Sequence, residues 1–388
     1  MLNRLSKSLT ARVAARLLGL LLVYFLTDFT LPPVMSWTPA ASAQVVPNYH
    51  QSNFKNILAN PRLDIYPAGT TEAYTSSTLT GTLTGLNTTP TYLAARWAAW
   101  SNNSSASVTI ANVTTGLPSG FGNGVSLTRA VNNTQTAPIC YGQEIRTADM
   151  TGLQGQQLTF SLWAAAGSGF SAASSNLTLQ AVTGTGTDQG LATYISGWTG
   201  AATPETSNQA ISTTFGRYAA TFTVPSNATE MLVEACWTPV GTAVSNDNVT
   251  LTGLQLEQGT RATSFEERSQ VVENNNFVLP YTQVYTDGAA TRRYGMCAVS
   301  SATSANCVLP LQVPMWKIPT TTVGTSASFA VTGSTNSAEN CTAFAAVGTS
   351  NTVDTAAFTC TTTAIVQGEA GELVGQNTAG LVLISSDF

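Results

Sequence analysis

The chain has 388 residues, of which 9% are charged, with a formal net charge of -5 at pH 7 and an isoelectric point near 4.9. It is too long for one ordinary domain and suggests two. The acidic balance provides no basic surface for nucleic acid, so we expect no nucleic-acid partner. Few charges and abundant Thr, Ser, Asn and Gly are typical of an exposed β-protein.

The first 43 residues are typical of a secretory signal peptide. Four basic residues precede an apolar run at positions 17–26, and Ala41-Ser42-Ala43 predicts cleavage before Gln44. The apolar run is about half the length that a membrane-spanning helix needs. We therefore predict a secreted or cell-surface protein, attached to a membrane only if its leader stays uncleaved. Residues 44–52 are expected to form a short N-terminal linker.

Residues 53–268 carry many short patterns of period two, which are typical of β-strands. Leu158, Phe160 and Leu162 share one strand face, which places Trp163 on the opposite face. Trp237 is in phase with apolar neighbours and is expected in the core. Turn clusters at 116–124 and 184–190 separate the strands. This punctuation predicts a two-sheet β-sandwich of jelly-roll type.

The last strand pattern of this region contains a phase change. Val249 and Leu251 alternate with threonines, whereas Leu254 and Leu256 continue one step out of phase. A glycine, Gly253, lies at the change. A strand that must keep one face buried accommodates such a step as a β-bulge, which we predict at Gly253.

A second β-region is expected after residue 276. Residues 269–276 (residues 270–276 read QVVENNN) are polar and lack strand alternation, so we predict a linker there. Short strand patterns then resume between residues 277 and 388, separated by Ser, Thr, Gly and Asn. These residues are predicted to form a smaller C-terminal β-domain.

The six cysteines all follow the predicted leader, and their even number fits an oxidising compartment. Six cysteines allow fifteen pairings, and number alone does not choose among them. Position along the chain favours Cys140–Cys236, Cys297–Cys307 and Cys341–Cys360. The absence of any Cys-x-x-Cys spacing and the presence of a single histidine argue against a zinc site.

Residues 251–268 (LTGLQLEQGTRATSFEER) resemble a segment that recurs in tail-fibre and minor structural proteins of bacteriophages and prophages, with Ser264 where that family usually has Pro. Further resemblances follow in the same order as in the family: residues 56–63 (NILANPRL), 95–97 (ARW), 153–166 (LQGQQLTFSLWAAA), 215–225 (FGRYAATFTVP) and 311–322 (LQVPMWKIPTTT).

This resemblance implies a jelly-roll sandwich like those of galactose-binding and carbohydrate-binding modules, followed by a tail-fibre-like C-terminal β-domain. It also implies a possible homotrimer. The predicted leader departs from the phage pattern, because a virion protein assembled inside its host needs no export signal. We therefore expect an exported relative of these modules.

Catalytic chemistry has little support in the sequence. His50, the only histidine, lies near the predicted mature N-terminus, so a histidine-dependent nucleophile is not expected. A glycoside hydrolase needs only two carboxylates about 5–10 Å apart. Glu144, Asp149, Asp188 and Glu234 are candidates, although solvated surface positions are the simpler explanation of all four. We expect no enzyme, and a secreted glycoside hydrolase or lyase is one alternative.

Carbohydrate binding suits the residue types better. Aromatic rings stack on the apolar faces of pyranoses, and neutral polar side chains bond their hydroxyl groups. The candidate platforms are Trp100, Trp163, Tyr194 and Trp198. Tyr194 and Trp198 are predicted to lie in a Gly-rich loop, where a core role is less expected. Packing is the competing role for each ring, and Trp97, in the recurring Arg-Trp pair, is expected to be structural.

A structural calcium ion is also conceivable. Jelly-roll sugar-binding modules, which the sandwich resembles, often hold calcium between the opening segment and the final strand. The matching regions carry Asn60, Asp64, Asp247 and Glu257, whose oxygen atoms suit this cation. No contiguous calcium loop supports them, and turn capping by Asn246 and Asp247 is the simpler explanation. No other cofactor is expected.

Together these observations predict an exported, non-enzymatic, adhesin-like protein that binds a cell-surface or matrix glycan. The main alternative is a structural or host-recognition component of a phage-like particle. The leader favours the first of these, because export has no role in virion assembly.

Overall fold

A computed structural model of the protein describes residues 54–66, 80–84, 90–101, 107–286, 292–333, 338–376 and 381–386. The predicted leader and N-terminal linker, residues 1–52, and with them His50, lie outside the described residues. Of the helices in the described ranges, none has both the length and the apolar character needed to cross a membrane.

Twelve strands precede residue 259 in the described ranges. They are β1 (Thr80–Thr84), β2 (Thr91–Tyr92), β3 (Ala98–Ser101), β4 (Ser107–Val113), β5 (Gly124–Arg129), β6 (Ile139–Ile145), β7 (Gln157–Ala166), β8 (Asn176–Gly184), β9 (Ala202–Ala210), β10 (Gly216–Thr223), β11 (Glu230–Trp237) and β12 (Asn248–Gln258). A short helix, α1 (Leu191–Ser196), connects β8 to β9.

The twelve strands form two antiparallel sheets of six described strands each. Sheet A has the order β1-β4-β5-β12-β7-β10, and sheet B has the order β2-β3-β6-β11-β8-β9. From β5 onward the chain crosses repeatedly between the sheets, as in a jelly roll. The predicted all-β, jelly-roll sandwich is confirmed.

Alternating side chains of both sheets fill the space between them. Phe160 of β7 and Val233 of β11 are almost completely buried, as is Trp237, which was expected in the core. Trp97 stacks on Tyr141 with ring centroids 5.5 Å apart, and its indole N–H donates to the carbonyl of Ala59 at 2.9 Å. Each large apolar side chain buried in this way contributes roughly 1.5–3 kcal/mol.

The predicted bulge in β12 is confirmed. The pairing of β12 with β7 shifts register between Thr252 and Gln255, and Gly253 has a φ of 58°. A Cβ atom at this glycine would lie 2.5 Å from the ring of Phe121 and 3.0 Å from that of Trp163. Positive φ and this close approach both require glycine. The bulge restores the burial of Leu254 and its in-phase neighbours.

The opening segment of the sandwich is tied to its final strand. The Asn56 amide donates to the carbonyl of Leu254 at 3.0 Å and accepts from the backbone of Leu256 at 3.0 Å. Arg268, just beyond β12, donates to the carbonyls of Asn56, at 2.8 Å, and Leu58. We call this set, with Glu273, the Arg268 clamp.

Glu273 completes the Arg268 clamp from a second helix, α2 (Gln270–Glu273). Its carboxylate lies 2.7 Å from Arg268 Nε, and it also accepts the backbone N–H of Asn60. A π-helical turn, Asn274–Val278, follows α2. The segment predicted as a linker, residues 269–276, is thus helical and carries a buried acidic side chain.

Ten further strands follow in the described part of the chain. They are β13 (Thr282–Thr286), β14 (Arg293–Ser301), β15 (Ser304–Pro310), β16 (Thr320–Val323), β17 (Phe329–Thr332), β18 (Ala338–Asn340), β19 (Ala343–Ala346), β20 (Thr355–Thr361), β21 (Ala370–Gly375) and β22 (Leu381–Ser385). They form a three-stranded sheet, β13-β22-β16, and a seven-stranded sheet, β18-β17-β21-β14-β15-β20-β19. Their core is separate from that of the sandwich and includes stacked phenylalanine rings.

Arginine side chains and aromatic rings join the C-terminal strands to the sandwich. The guanidinium of Arg96 lies 3.5 Å from the ring centroid of Tyr281, and that of Arg146 lies 5.1 Å from the ring of Trp316. Arg146 Nη2 also donates to Asp149 at 3.1 Å, and this carboxylate accepts the Tyr281 hydroxyl at 3.2 Å. In a desolvated site each cation–π contact contributes about 2 kcal/mol.

The structure has three disulfides, in the pairing favoured by position along the chain. Cys140–Cys236 joins directly opposite residues of β6 and β11, and Cys297–Cys307 does the same for β14 and β15. Cys341–Cys360 links the segment after β18 to β20. Each such bond contributes about 2–4 kcal/mol, mainly by restricting the unfolded chain.

We expect Arg268→Ala to lower the free energy of unfolding by about 3 kcal/mol. The substitution leaves the Glu273 carboxylate and two backbone carbonyls without their donor. Urea unfolding followed by tryptophan fluorescence measures the loss. Arg261→Ala, at an exposed position of the same segment, is the control and should change stability by less than about 0.5 kcal/mol. Equal unfolding midpoints for the two variants would contradict a stabilising role of the Arg268 clamp.

Candidate functional site

The outer face of sheet B carries an open cleft of about 300 Å³, which we call the sheet B cleft. Its volume lies within the range of small-molecule sites. It is lined by Trp100, Pro138, Cys140, Thr178, Gln180, Tyr194, Ile195, Glu234, Cys236 and Thr238.

Strand register brings these residues to one face. Trp100 pairs with Cys140, Cys140 with Cys236, and Cys236 with Thr178, so four neighbouring strands contribute one continuous row. Glu234, two residues before Cys236, has the same orientation as that cysteine. The Cys140–Cys236 disulfide therefore forms part of the cleft floor.

A glycine makes room for Trp100 on this floor. Gly142 lies opposite Glu234 on the neighbouring strand. A Cβ atom at Gly142 would lie 2.9 Å from Trp100 Cη2 and 2.5 Å from the carbonyl oxygen of Val233. The indole of Trp100 therefore lies across β6, and only 2% of its surface is exposed.

Tyr194, on α1, is the half-buried aromatic ring of the cleft. Its ring meets Trp100 edge-on at 6.1 Å and Trp198 at 5.4 Å. Trp198 is itself buried, and its indole N–H donates to the carbonyl of Gly190 at 3.3 Å. The two tryptophans fix the orientation of Tyr194, whose ring offers the aromatic surface that a ligand can reach.

Hydrogen bonds hold the loop that leads to α1. Glu230 accepts the backbone N–H of Gln189 at 2.8 Å, and the Gln189 side chain accepts that of Thr199 at 2.8 Å. Asp188 and Thr147 bond reciprocally, at 2.9 and 3.0 Å. Burial raises the pKa of Glu230. Tyr194 is thus presented from a fixed loop.

Glu234 is the acidic group of the cleft and is only 1% exposed. Its Oε1 accepts the Tyr194 hydroxyl at 3.0 Å, whereas its Oε2 is buried and has no hydrogen-bond partner in the described structure. Burial raises the pKa of Glu234 to about 7, and the bond from Tyr194 acts in the opposite direction. Burial and the Glu234 charge likewise raise the pKa of Tyr194.

Glu234 and two sulfur atoms lie close together, but they are not a metal site. One ligand atom from each of Cys140, Glu234 and Cys236 falls within 4.8 Å of the others. Both sulfur atoms are in a disulfide and cannot act as thiolate ligands.

The structure brings together three of the four predicted aromatic platforms. Trp100 and Tyr194 line the cleft, and Trp198 supports Tyr194 from behind. Trp163 lies elsewhere, on sheet A, where it pairs with Arg217 and contacts Phe121 at 6.5 Å. The sequence could not show this separation, because it assigns a strand face but not the sheet.

The expected calcium ligands do not form one site. Asp247 and Glu257 lie at opposite ends of β12, about 30 Å apart for an extended strand of this length. Asp247 is buried and accepts Arg129 Nη1 at 2.7 Å, and Glu257 accepts the backbone of Thr263 at 2.8 Å. These two carboxylates therefore cannot bind one shared ion.

The two remaining residues of that set also have protein partners. The Asn60 side chain donates to the carbonyl of Ile65 at 2.8 Å and accepts the backbone N–H of Asp64 at 3.0 Å. Asp64 accepts the Asn123 side chain at 2.7 Å. Asn60 has a φ of 46°, so this network stabilises a left-handed turn.

The carboxylates considered for glycoside hydrolysis are distributed over three places. Glu144 and Glu234 lie on neighbouring strands, β6 and β11. Asp149 belongs to the joint with the C-terminal strands, and Asp188 holds the loop before α1. Glu144, Asp149 and Glu234 are buried, so a fully solvated position is wrong for these three.

Sequence reasoning missed the neutral polar side chains of the cleft. Thr178 and Gln180 alternate with the buried Leu177 and Leu179 along β8. That alternation was visible in the sequence and assigns the two polar residues to the outer face. Their position beside Glu234 follows only from the pairing of β8 with β11.

No family model matches the sequence, and no curated protein matches it either. Solved structures with a similar fold include a module described as CBM4, with 14% identity, a TM-score of 0.25, and coverage of 38% of this chain and 78% of that chain. Another is the C-terminal family 22 carbohydrate-binding module of Clostridium thermocellum Xyn10B, with 16% identity, a TM-score of 0.28, and coverage of 43% of this chain and 89% of that chain.

A third is the enzymatically active domain of tailspike protein 4 from bacteriophage CBA120. It has 14% identity and a TM-score of 0.28, and the match covers 42% of this chain and 19% of that chain. At such identities and TM-scores the similarity carries no conclusion about the ligand.

Glu234 should make stability fall as pH rises. Its folded pKa, about 7, exceeds the ordinary value of 4.5, so its stabilising effect is complete below pH 4.5 and is lost as pH rises through 7. The loss amounts to about 3 kcal/mol. Glu234→Gln should remove this part of the pH dependence, as measured by urea unfolding at pH 5 and pH 8.

Glu205→Gln is the matched control, because it removes one carboxylate from a partly exposed position on the same sheet. It should retain the pH dependence of the parent protein. The same fall in stability in Glu234→Gln as in the parent would show that the Glu234 carboxyl group is not held in a poorly solvated position.

Proposed function

We propose that the protein binds a glycan in the sheet B cleft without cleaving it. The observation that carries this proposal is the position of the half-buried Tyr194 ring beside the unpartnered Oε2 of Glu234. An aromatic face packs against the C–H face of a sugar ring, and a buried acceptor requires a donor such as a sugar hydroxyl. Thr178 and Gln180 add neutral hydrogen-bonding groups along the same floor.

The placement of two other carboxylates, Asp149 and Asp188, supports binding rather than hydrolysis. Asp149 is held by Arg146 and Tyr281, and Asp188 is held by Thr147. Both therefore serve the framework around the cleft. Glu144, on the strand beside Glu234 and on the same face, is the carboxylate that a hydrolase would have to use as its second one, and it accepts the Tyr92 hydroxyl at 3.4 Å.

The protein is proposed to act outside the cytoplasm, as an adhesin-like exported relative of phage tail-fibre modules. The three disulfides support an oxidising compartment. The leader-like first 43 residues support export, and the ordered tail-fibre-like motifs support recognition of a surface or matrix polysaccharide. A single shallow cleft binds weakly, so several copies on one surface would strengthen attachment.

A glycan array probed with residues 44–388 tests the proposal. We expect specific binding that Tyr194→Ala weakens by roughly tenfold or more, because the accessible ring is lost. Tyr194→Phe keeps the ring but not the bond to Glu234, and should weaken binding less. The chain length of the bound polysaccharide should not change on incubation.

Trp163→Ala separates the two faces of the sandwich. A loss of binding in this variant, with Tyr194→Ala unaffected, would place the ligand on sheet A and contradict the proposal. Circular dichroism confirms that each variant is folded. The absence of binding to any glycan by a folded protein would refute carbohydrate recognition altogether.

A further inference from the structure

The sheet B cleft has an unusual balance of charge. Among the described residues that line it, Glu234 is the only one with a carboxyl group, and none is Lys, Arg or His. The remaining polar groups are hydroxyls and the amide of Gln180. A ligand in this cleft therefore meets one acidic group and no compensating cation.

We propose that the cleft accepts uncharged glycans and that Glu234 is the residue that rejects acidic ones. This inference rests on the proposed function and identifies the class of glycan. Glu234 Oε2 has no hydrogen-bond partner among the described groups and is closed to solvent, so an uncharged sugar can donate a hydroxyl to it once the side chains that cover it move aside. A uronate or sulfate in the same place would put two negative charges together in a poorly solvated site.

The described groups that face Glu234 from neighbouring elements carry no positive charge. Tyr194 of α1 donates to it, Gly142 lies opposite it on β6, and Gln180 lies opposite it on β8. The next titratable groups that the structure describes on this face are Glu144 of β6, which accepts the Tyr92 hydroxyl of β2 at 3.4 Å, and, four residues away along β11, Glu230. Both are acidic, and β3 contributes the uncharged Trp100 to this face.

One arginine, Arg96, contacts β6 but lies against the C-terminal strands and does not line the sheet B cleft. Arg96 donates to the backbone carbonyl of Glu144 at 3.5 Å, and its guanidinium covers the ring of Tyr281. Arg96 therefore takes part in the contact between the sandwich and the C-terminal strands. At about 6 Å and an effective dielectric constant of about 20, the repulsion between Glu234 and an anionic sugar lowers affinity by tenfold or more.

Protonation of Glu234 should relax this selection. Burial raises the pKa of Glu234 to about 7, so the carboxyl group is mainly neutral at pH 6 and mainly charged at pH 8. Acidic polysaccharides keep their own charges at both values. Their affinity should therefore rise as the pH falls from 8 to 6, relative to that of uncharged polysaccharides.

Isothermal titration calorimetry with matched polymers tests the inference. The pairs are hydroxyethyl-cellulose with carboxymethyl-cellulose, arabinoxylan with glucuronoxylan, and dextran with dextran sulfate. At pH 8 we expect residues 44–388 to bind at least one uncharged polymer, and its acidic counterpart at least tenfold more weakly. At pH 6 the ratio of the two affinities should be several-fold smaller than at pH 8.

Glu234→Gln, measured in the same way, isolates the residue. The variant should bind the uncharged polymer more weakly than the parent protein does, because a charged acceptor is lost. The ratio of its affinities for the uncharged and the acidic polymer should be less than about threefold at pH 8 and should not change with pH. Glu205→Gln, on the same sheet, should keep the parent ratio at both pH values.

The outcomes distinguish this inference from the proposed function. Equal binding of charged and uncharged polymers at pH 8, or an unchanged ratio in a folded Glu234→Gln variant, would overturn the inference while leaving glycan binding intact. Binding of none of the uncharged polymers by the folded parent protein would contradict both.

Discussion

The sandwich depends on the hydrogen bonds and the ion pair that the buried guanidinium of Arg268 makes. Arg268 follows the final strand of the sandwich, β12, and its guanidinium donates to the carbonyls of Asn56 and Leu58. One side chain therefore connects the first segment of the sandwich to its last. A buried arginine is tolerated only when its donors are satisfied, and Glu273 supplies the counter-charge from the next helix. The motifs at residues 56–63 and 251–268 are thus two halves of one structural unit.

The cleft itself is lined mainly by residues of sheet B. Its central strands, β6 and β11, are buried on both faces, because the core covers one side and the cleft residues cover the other. The Cys140–Cys236 bond crosslinks them beneath the site. A rigid floor lets one carboxylate stay desolvated beside Tyr194 without collapse of the surrounding groups.

Much of the fold could be predicted from sequence, because period-two patterns and turn clusters specify strands directly. The bulge at Gly253 followed from a phase change alone. The site was only partly accessible. Tyr194 could be chosen by residue type, but the environment of Glu234 depends on which strands become neighbours, and no local pattern records that. The spacing of Asp247 and Glu257 along one strand already places the two carboxylates too far apart to share a calcium ion.

The central claim is that a sugar binds at the meeting point of Tyr194 and Glu234. A crystal structure of the protein with a bound oligosaccharide from the glycan array tests it most directly. We expect a sugar ring in the sheet B cleft, packed against Tyr194, with a hydroxyl within hydrogen-bonding distance of Glu234 Oε2. An oligosaccharide bound at Trp163 on sheet A, or on the C-terminal strands, with the sheet B cleft empty, would contradict it.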